Sequence, residues 1–265
     1  MSDVLAKIVD HKRGEVAAAK LARSLPELRS ALGDAPPVRD FAAALAQPGT
    51  RIIAEVKGAS PSAGVIREGF DPVRIASLYA ECGAACISCL TDEKFFGGRL
   101  AYLSAIRETV PIPVLRKDFL IDPYQVYEAR AAGADAVLLI AECLDDAMLA
   151  ELYALTRELG MEALIEIYEP ANLDRVLAVK PRIVGVNNRD LKTMVIDLGH
   201  SLSIRPRVPD DVLFVSESGI KERSDVEVLE RAGVRCVLIG ETLMRAPDPG
   251  AKLRSLLGQV AAASV

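Results

Sequence analysis

The sequence has no tryptophan, and aromatic residues make up 5% of its 265 positions. Proteins that grip single-stranded nucleic acid stack bases on aromatic side chains, so that class is disfavoured. A net charge of −5, with no basic run, argues further against nucleic acid and against anionic membrane surfaces as partners. No apolar run approaches the ~18 residues of a membrane helix. The opening residues, MSDVLAKIVDHKRGEV, carry charges throughout and lack the apolar core of a secretory signal, so the expected location is the cytoplasm. Histidine occurs twice, as His11 and His200, both expected far from any strand end. That leaves no basis for a histidine-built zinc site or a Ser-His-Asp triad. Five cysteines at irregular spacing do not make a disulfide framework. Cys82, Cys86 and Cys89 share a spacing used by some iron–sulfur proteins. Cys82 falls at a helix end, however, and Cys86 and Cys89 on opposite faces of a strand, so all three read as small buried side chains. No metal and no cofactor is expected.

What is present is a globular composition, 51% apolar and 26% charged, in a chain long enough to bury a large core without staples. Residues 1–50 read as helical. Leu5, Ile8, Val9 and Val16 form one stripe, a second piece runs near 25–32, and a third spans 41–46. From Arg51 onward the pattern changes to eight short Val/Ile/Leu-rich runs, at 51–57, 85–90, 113–118, 135–140, 162–168, 182–188, 212–218 and 235–240. Helical stretches separate and follow them, at 72–82, 99–109, 123–132, 145–159, 170–178, 200–205, 222–232 and 248–260. Strands alternating with helices predict parallel βαβ units, and eight of them predict a single (β/α)8 barrel of the α/β class. A doubly wound open sheet is the alternative, weakened because no G-x-G-x-x-G follows the first strand. No Pro/Gly/Ser-rich linker divides the chain, so the expected organisation is an N-terminal helical extension, 1–50, packed on a catalytic barrel, 51–265.

Buried parallel strands should be near-continuous apolar runs, and barrel chemistry sits at their C-terminal ends. Charges late in a run are therefore informative. Glu55 and Lys57 share a face of the first strand, Lys117 ends the third, Glu166 lies in the fifth and Glu217 in the seventh, with Asn187 and Arg189 following the sixth. A single such charge could be solvated at a strand end. Two lysines and three glutamates on odd-numbered strands are expected to converge in one mouth, where one layer of side chains comes from alternate strands. Ser218-Gly219 after the seventh run and Gly240 after the eighth fit the recurrent phosphate cradle of this fold, although turns use glycine anyway. The turn-rich segment after the first strand carries Ser60, and the loop after the second carries Phe95 and Phe96. These aromatics either line an apolar ligand or pack under the extension.

These residues together resemble the indole-3-glycerol phosphate synthase family. The match runs in order through Ile53-Ala54-Glu55-Val56-Lys57, Ser60-Pro61-Ser62, Leu115-Arg116-Lys117-Asp118-Phe119, Glu166, Gly185 to Leu191 and Ser216 to Ile220. It also takes in Ile8 to Lys12 of the first helix. The resemblance implies ring closure, decarboxylation and dehydration of 1-(2-carboxyphenylamino)-1-deoxyribulose 5-phosphate to indole-3-glycerol phosphate, a cofactor-free step of tryptophan biosynthesis. It implies Lys117 as general acid, Glu166 as base and Lys57 on the substrate carboxylate, with the division of acid steps between the two lysines open. Glu55, Asn187 and Glu217 would orient these groups. Ser60, Arg189, Ser218, Gly219, Gly240 and Glu241, the last through its backbone N–H only, would hold the phosphate. Phe96, Phe119, Leu138 and Leu191 would line the anthranilate pocket. The implied partner is a small phosphorylated substrate. Monomer or weak dimer, and association with other tryptophan-pathway enzymes, are both left open. A Schiff-base aldolase and a non-catalytic phosphosugar binder are the alternatives.

Overall fold

A computed structural model describes residues 3–60, 64–67 and 69–259, with no side-chain placement for Asp3, Ser60 or Val65. Eight parallel strands close into a barrel: β1 (Arg51–Val56), β2 (Cys86–Leu90), β3 (Val114–Lys117), β4 (Ala136–Ile140), β5 (Glu162–Ile167), β6 (Ile183–Asn187), β7 (Leu213–Glu217) and β8 (Cys236–Ile239). Each strand pairs with its neighbours in sequence, and β1 closes on β8 in the register Arg51↔Cys236.

Side chains alternate across each strand, and the two faces meet different surroundings. Ile52, Ala54 and Val56 of β1 belong to the layer packed between strands and outer helices. Ile53, Leu115, Leu164 and Val215 belong to the cluster inside the barrel. Two residues further along the same inward face stand Glu55, Lys117, Glu166 and Glu217, one from each odd strand. Apolar packing fills the barrel below, and the charged layer sits at its C-terminal mouth.

The outer helices are α4 (Pro72–Glu81), α6 (Leu100–Thr109), α7 (Pro123–Ala131), α8 (Asp146–Glu158), α9 (Leu173–Ala178), α10 (Gly199–Ile204), α11 (Arg223–Arg231) and α13 (Pro249–Leu256); α5 (Glu93–Phe96) and α12 (Glu241–Arg245) are single turns. Their starts are written locally: Asp71, Asp122 and Asp248 accept backbone N–H bonds as N-caps, each followed by proline, whose missing N–H is harmless there. The expected last helix, 248–260, ends at Leu256, and residue 260 lies outside the described set. The expected helix 170–178 divides into a 3-10 turn, Pro170–Asn172, and α9. The loop after β1 contains a small antiparallel hairpin, Ala59–Ser60 with Gly64–Val65.

The extension supplies α1 (Asp3–Ala22), α2 (Leu25–Ala31) and α3 (Phe41–Ala46). Phe41 and Leu45 enter the inner cluster, and Leu45 O accepts from Cys236 Sγ at 3.5 Å, so α3 sits on the N-terminal end of the barrel. The other end meets α1. Lys12 Nζ lies 2.9 Å from both Asp92 Oδ2, the N-cap of α5 two residues after β2, and Asp118 Oδ1, which directly follows β3. Leu5 and Ile8 join the same inner cluster from above. No helix of the described residues is long and apolar enough to cross a membrane.

Candidate active site

The acid–base layer is compact. Lys57 Nζ contacts Glu55 Oε1 at 2.7 Å. Lys117 Nζ donates to Glu166 Oε2 at 2.7 Å and lies 3.4 Å from Glu217 Oε2. Asn187 Nδ2 donates to Glu166 Oε1 at 3.1 Å. Burial alone would favour a neutral lysine, but Glu166, Glu217 and Glu55 outweigh it and hold Lys117 protonated, its pKa above the usual lysine range. Burial likewise opposes ionisation of Glu166, yet Lys117 and Asn187 hold its pKa below the usual carboxylate range. Glu217 goes the other way. Burial, reinforced by the charges of Glu166 and Glu55, exceeds the help it gets from Lys117 and pushes it well up. Two carboxylates around one lysine therefore hold protons with very different strength. Glu217 Oε1 is buried with no hydrogen-bond partner among the described residues.

Two glycines make room for this layer. A Cβ at Gly185 would collide with Glu217 Oε1, and one at Gly240 with Glu55 Oε1. Gly240 thus has a packing role beside the expected phosphate contact.

At the rim, the chain after β6 and β7 is tied together through Asn187, whose Oδ1 accepts from Ser218 Oγ at 2.9 Å and from Arg189 N at 3.0 Å. Ser218 has φ +69°, a conformation costly for a side-chain-bearing residue, and Gly219 follows at φ +85°. Asn188 holds the turn from beneath: its amide donates to Ser216 Oγ and Ser218 O, and its Oδ1 accepts from Ser201. Arg189 Nη2 lies 3.2 Å from Glu241 Oε2. The Glu241 side chain is therefore engaged at the rim, beyond the backbone role expected for it. The Ser60 side chain, with Pro61 and Ser62, lies outside the described residues.

The third part is apolar. Phe96 and Phe119 stand 6.0 Å apart, and with Leu138 and Leu191 they share the inner cluster. The two rings of the pair after β2 part, and one of them packs under the extension. Phe96 faces Phe119, while Phe95 packs edge-on against His11 of α1. These rings lie on and beside a capped turn of helix, α5, where the sequence suggested a loop.

The placement of the histidines is corrected. His200 Nε2 lies 2.7 Å from the carbonyl of Tyr168, the residue after β5, and its ring stacks on that tyrosine. His11 contacts the turn after β2. Both approach the mouth because the long segment after β6 and helix α1 fold back over strand ends, which chain order does not reveal. Among the described residues no group of three His, Cys, Asp or Glu could hold a metal. Cys86 faces the barrel interior and Cys89 the outer layer, as the odd offset requires.

Sequence reasoning missed several contributors. Ser88 is fully buried on the inward face of β2, paired in register with Glu55, and its hydroxyl has no partner among the described residues. The test applied to charges, polarity within a buried run, would have found it. Leu5 and Ile8 were read as an ordinary helical stripe. Lys12 entered only as the end of a matched segment, with no role assigned to its side chain, which is buried against Asp92 and Asp118.

Comparison with known proteins places this geometry in a family. The sequence profile of indole-3-glycerol phosphate synthase matches residues 5–256. The chain is 54% identical over 232 residues to the protein of that name from Rhodopirellula baltica, covering 87% of this chain and 90% of that one. It is 49% identical over 264 residues to the one from Acidovorax sp., covering 97% and 99%. Among solved structures, 3-hexulose-6-phosphate synthase from Salmonella typhimurium superposes with a TM-score of 0.65 at 15% identity, over 79% of this chain and 97% of that one. A mandelate oxidase variant gives 0.62 at 16%, over 79% and 72%. These two share the barrel alone. With the mouth residues in place and the profile spanning nearly the whole sequence, the chain belongs to the indole-3-glycerol phosphate synthase family.

Proposed function

We propose that the chain closes the indole ring of 1-(2-carboxyphenylamino)-1-deoxyribulose 5-phosphate, releasing carbon dioxide and water and leaving indole-3-glycerol phosphate. Family membership makes it an enzyme of the carboxy-lyase class. The observation that carries the reading is Lys117, protonated between Glu166 at 2.7 Å and Glu217 at 3.4 Å, with Phe119, two residues on, in the inner apolar cluster.

The phosphate binds Arg189 and the backbone N–H groups of Ser218, Gly219, Gly240 and Glu241, with Ser60 from the loop after β1. The anthranilate ring lies against Phe96, Phe119, Leu138 and Leu191. Lys57 pairs with the substrate carboxylate. As the carboxylate-bearing ring carbon attacks the ketone, Lys117 gives its proton to the developing alkoxide. The new carbon–carbon bond leaves an electron-poor iminium beside the carboxylate. Carbon dioxide departs and its bonding electrons flow into that iminium, restoring the six-membered ring. The former ketone oxygen then leaves as water, protonated by a lysine, while Glu166 removes a proton so that the five-membered ring becomes aromatic. Glu55, Asn187 and Glu217 fix the lysines and the ribulose hydroxyls. Each bond made and broken is accounted for by substrate electrons and three proton transfers, two onto the former ketone oxygen and one off the ring, so the chemistry calls for no added oxidant or reductant.

A Schiff-base aldolase would need one mouth lysine neutral and nucleophilic. The carboxylates around Lys117 oppose this. A non-catalytic phosphosugar binder on the same barrel would have no use for the acid and base layer, which is complete here. The reading extends to a cytoplasmic enzyme in which residues 1–50 and the barrel fold as one unit.

Mixing the protein with the carboxyphenylamino substrate should produce indole fluorescence together with one equivalent of carbon dioxide. Borohydride should trap no adduct with a phosphosugar. No fluorescent product, or a trapped lysine adduct, would sink the assignment.

A further inference from the structure

The phosphate reading leaves one arrangement unexplained. Arg189 is the cation that reading gives to the phosphate, yet a carboxylate of the chain already holds it. Glu241 uses its two oxygens separately: Oε2 lies 3.2 Å from Arg189 Nη2, and Oε1 accepts from Arg245 Nε at 2.9 Å. A carboxylate beside a phosphate site repels the ligand unless it is neutralised. Here it is doubly neutralised, and the two arginines differ in setting. Arg189 is mostly buried at the rim, with one-fifth of its side chain exposed, whereas Arg245 lies half exposed on α12. Losing Arg189 would not strand Glu241, because Arg245 remains on the other oxygen.

We propose that Glu241 is an internal stand-in for the substrate phosphate, a specificity residue that holds Arg189 in the empty site and hands it over when a phosphate arrives, withdrawing onto Arg245. The proposal rests on the phosphate reading of this rim. The exchange has a consequence for ligand choice. A singly charged group competing for Arg189 replaces one monoanion by another and gains little. A phosphate dianion brings twice the charge to the same guanidinium, so the displacement favours it. Glu241 also keeps the arginine fork ordered before the ligand comes, but the fraction of molecules with Arg189 released sets the apparent affinity. Weakening the Glu241 hold should raise that fraction, and strengthening it should lower it.

Inorganic phosphate, titrated calorimetrically into the whole protein at pH 8, is the probe. Glu241→Gln, which keeps the shape and removes the charge, should tighten phosphate binding about fivefold, the scale of one partly exposed ion pair. Arg245→Ala should weaken it about threefold, because Glu241 then has Arg189 alone. The double variant should behave like Glu241→Gln, since without the carboxylate Arg245 has nothing to hold. That non-additivity separates exchange from simple long-range charge, in which the two effects would add. Additive effects, or unchanged or weaker phosphate binding in Glu241→Gln, would overturn the proposal. Arg189→Ala tests the underlying reading separately. It should abolish phosphate binding, and if it does not, the phosphate lies elsewhere and both readings fall.

Discussion

At the scale of single residues, the mouth shows how placement divides labour among like groups. Lys117 is a candidate for general acid because its neighbours keep it protonated and because its side chain is only 14% exposed, so that its field is little screened. Lys117→Ala should lower kcat by about a hundredfold or more, the usual worth of such an acid, while phosphate affinity survives. Parallel kinetics and phosphate titration would check both halves. Glu217 makes a different prediction, about stability. Its folded pKa is raised, by burial first and by Glu166 and Glu55 after. Its contribution to folding is fully present below the unfolded carboxylate value of about 4.3 and is lost as pH rises through the folded value. Glu217→Gln should therefore match the parent in acid and gain on it as pH rises, by about 1 kcal/mol or more, with reduced turnover. Urea denaturation of both proteins between pH 5 and 8 would show the difference growing; a constant gap would contradict it. Glu55, Lys117, Glu166 and Glu217 were legible in the sequence because a charge inside an apolar strand is conspicuous. Asn188 was not, since its three-way hold on Ser201, Ser216 and Ser218 exists only once β6, β7 and α10 are side by side.

At the scale of elements, long periodic segments were readable and short ones were not. All eight strands and the major helices appear where the pattern put them, and Gly83, Gly133, Gly160 and Gly233 stand at helix ends with positive φ. The turns α5 and α12 and the hairpin after β1 escaped, because four or five residues complete little more than one helical period and two residues cannot show alternation. Helix α1 was legible as a helix but not as a wall of the site. Its anchor is Lys12, whose side chain is 5% exposed and bound to Asp92, Asp118 and Glu15. Asp118 has Arg116 and Thr91 as well, whereas among the described residues Asp92 Oδ2 has Lys12 alone. Lys12→Met should cost about 3–5 kcal/mol, because it leaves the buried Asp92 without its cation. Thermal unfolding would show it, and a shift of under a degree would mean that the pairing is nearly neutral.

At the scale of the whole molecule, the barrel is a frame shared with proteins of other chemistry, as the superposed synthase and oxidase indicate. What distinguishes this chain is the charged layer, invisible in a net charge of −5, and the extension that reaches both ends of the frame. The mouth and the opposite end should therefore be separable. Phe41 of α3 is fully buried at the far end from the acid–base layer. Phe41→Ala should destabilise by about 3–5 kcal/mol yet leave phosphate affinity unchanged under conditions where the protein stays folded. Loss of affinity in the folded variant would show that the two ends are coupled.

The closure of β1 on β8 has a consequence for how the chain is made. Leu5, Ile8, Phe41 and Leu45 leave the ribosome well before Cys236 and Leu238 of β8, which belong to the inner cluster that receives them. At about 5–20 residues per second, the interval between emergence of Leu45 and of Cys236 is roughly 10–40 s. Through that interval Ile53, Cys86, Leu115, Leu164 and Val215 of the cluster emerge one after another, but the strand that closes it is still missing. The seat of α3 is therefore complete only once that closing strand has emerged.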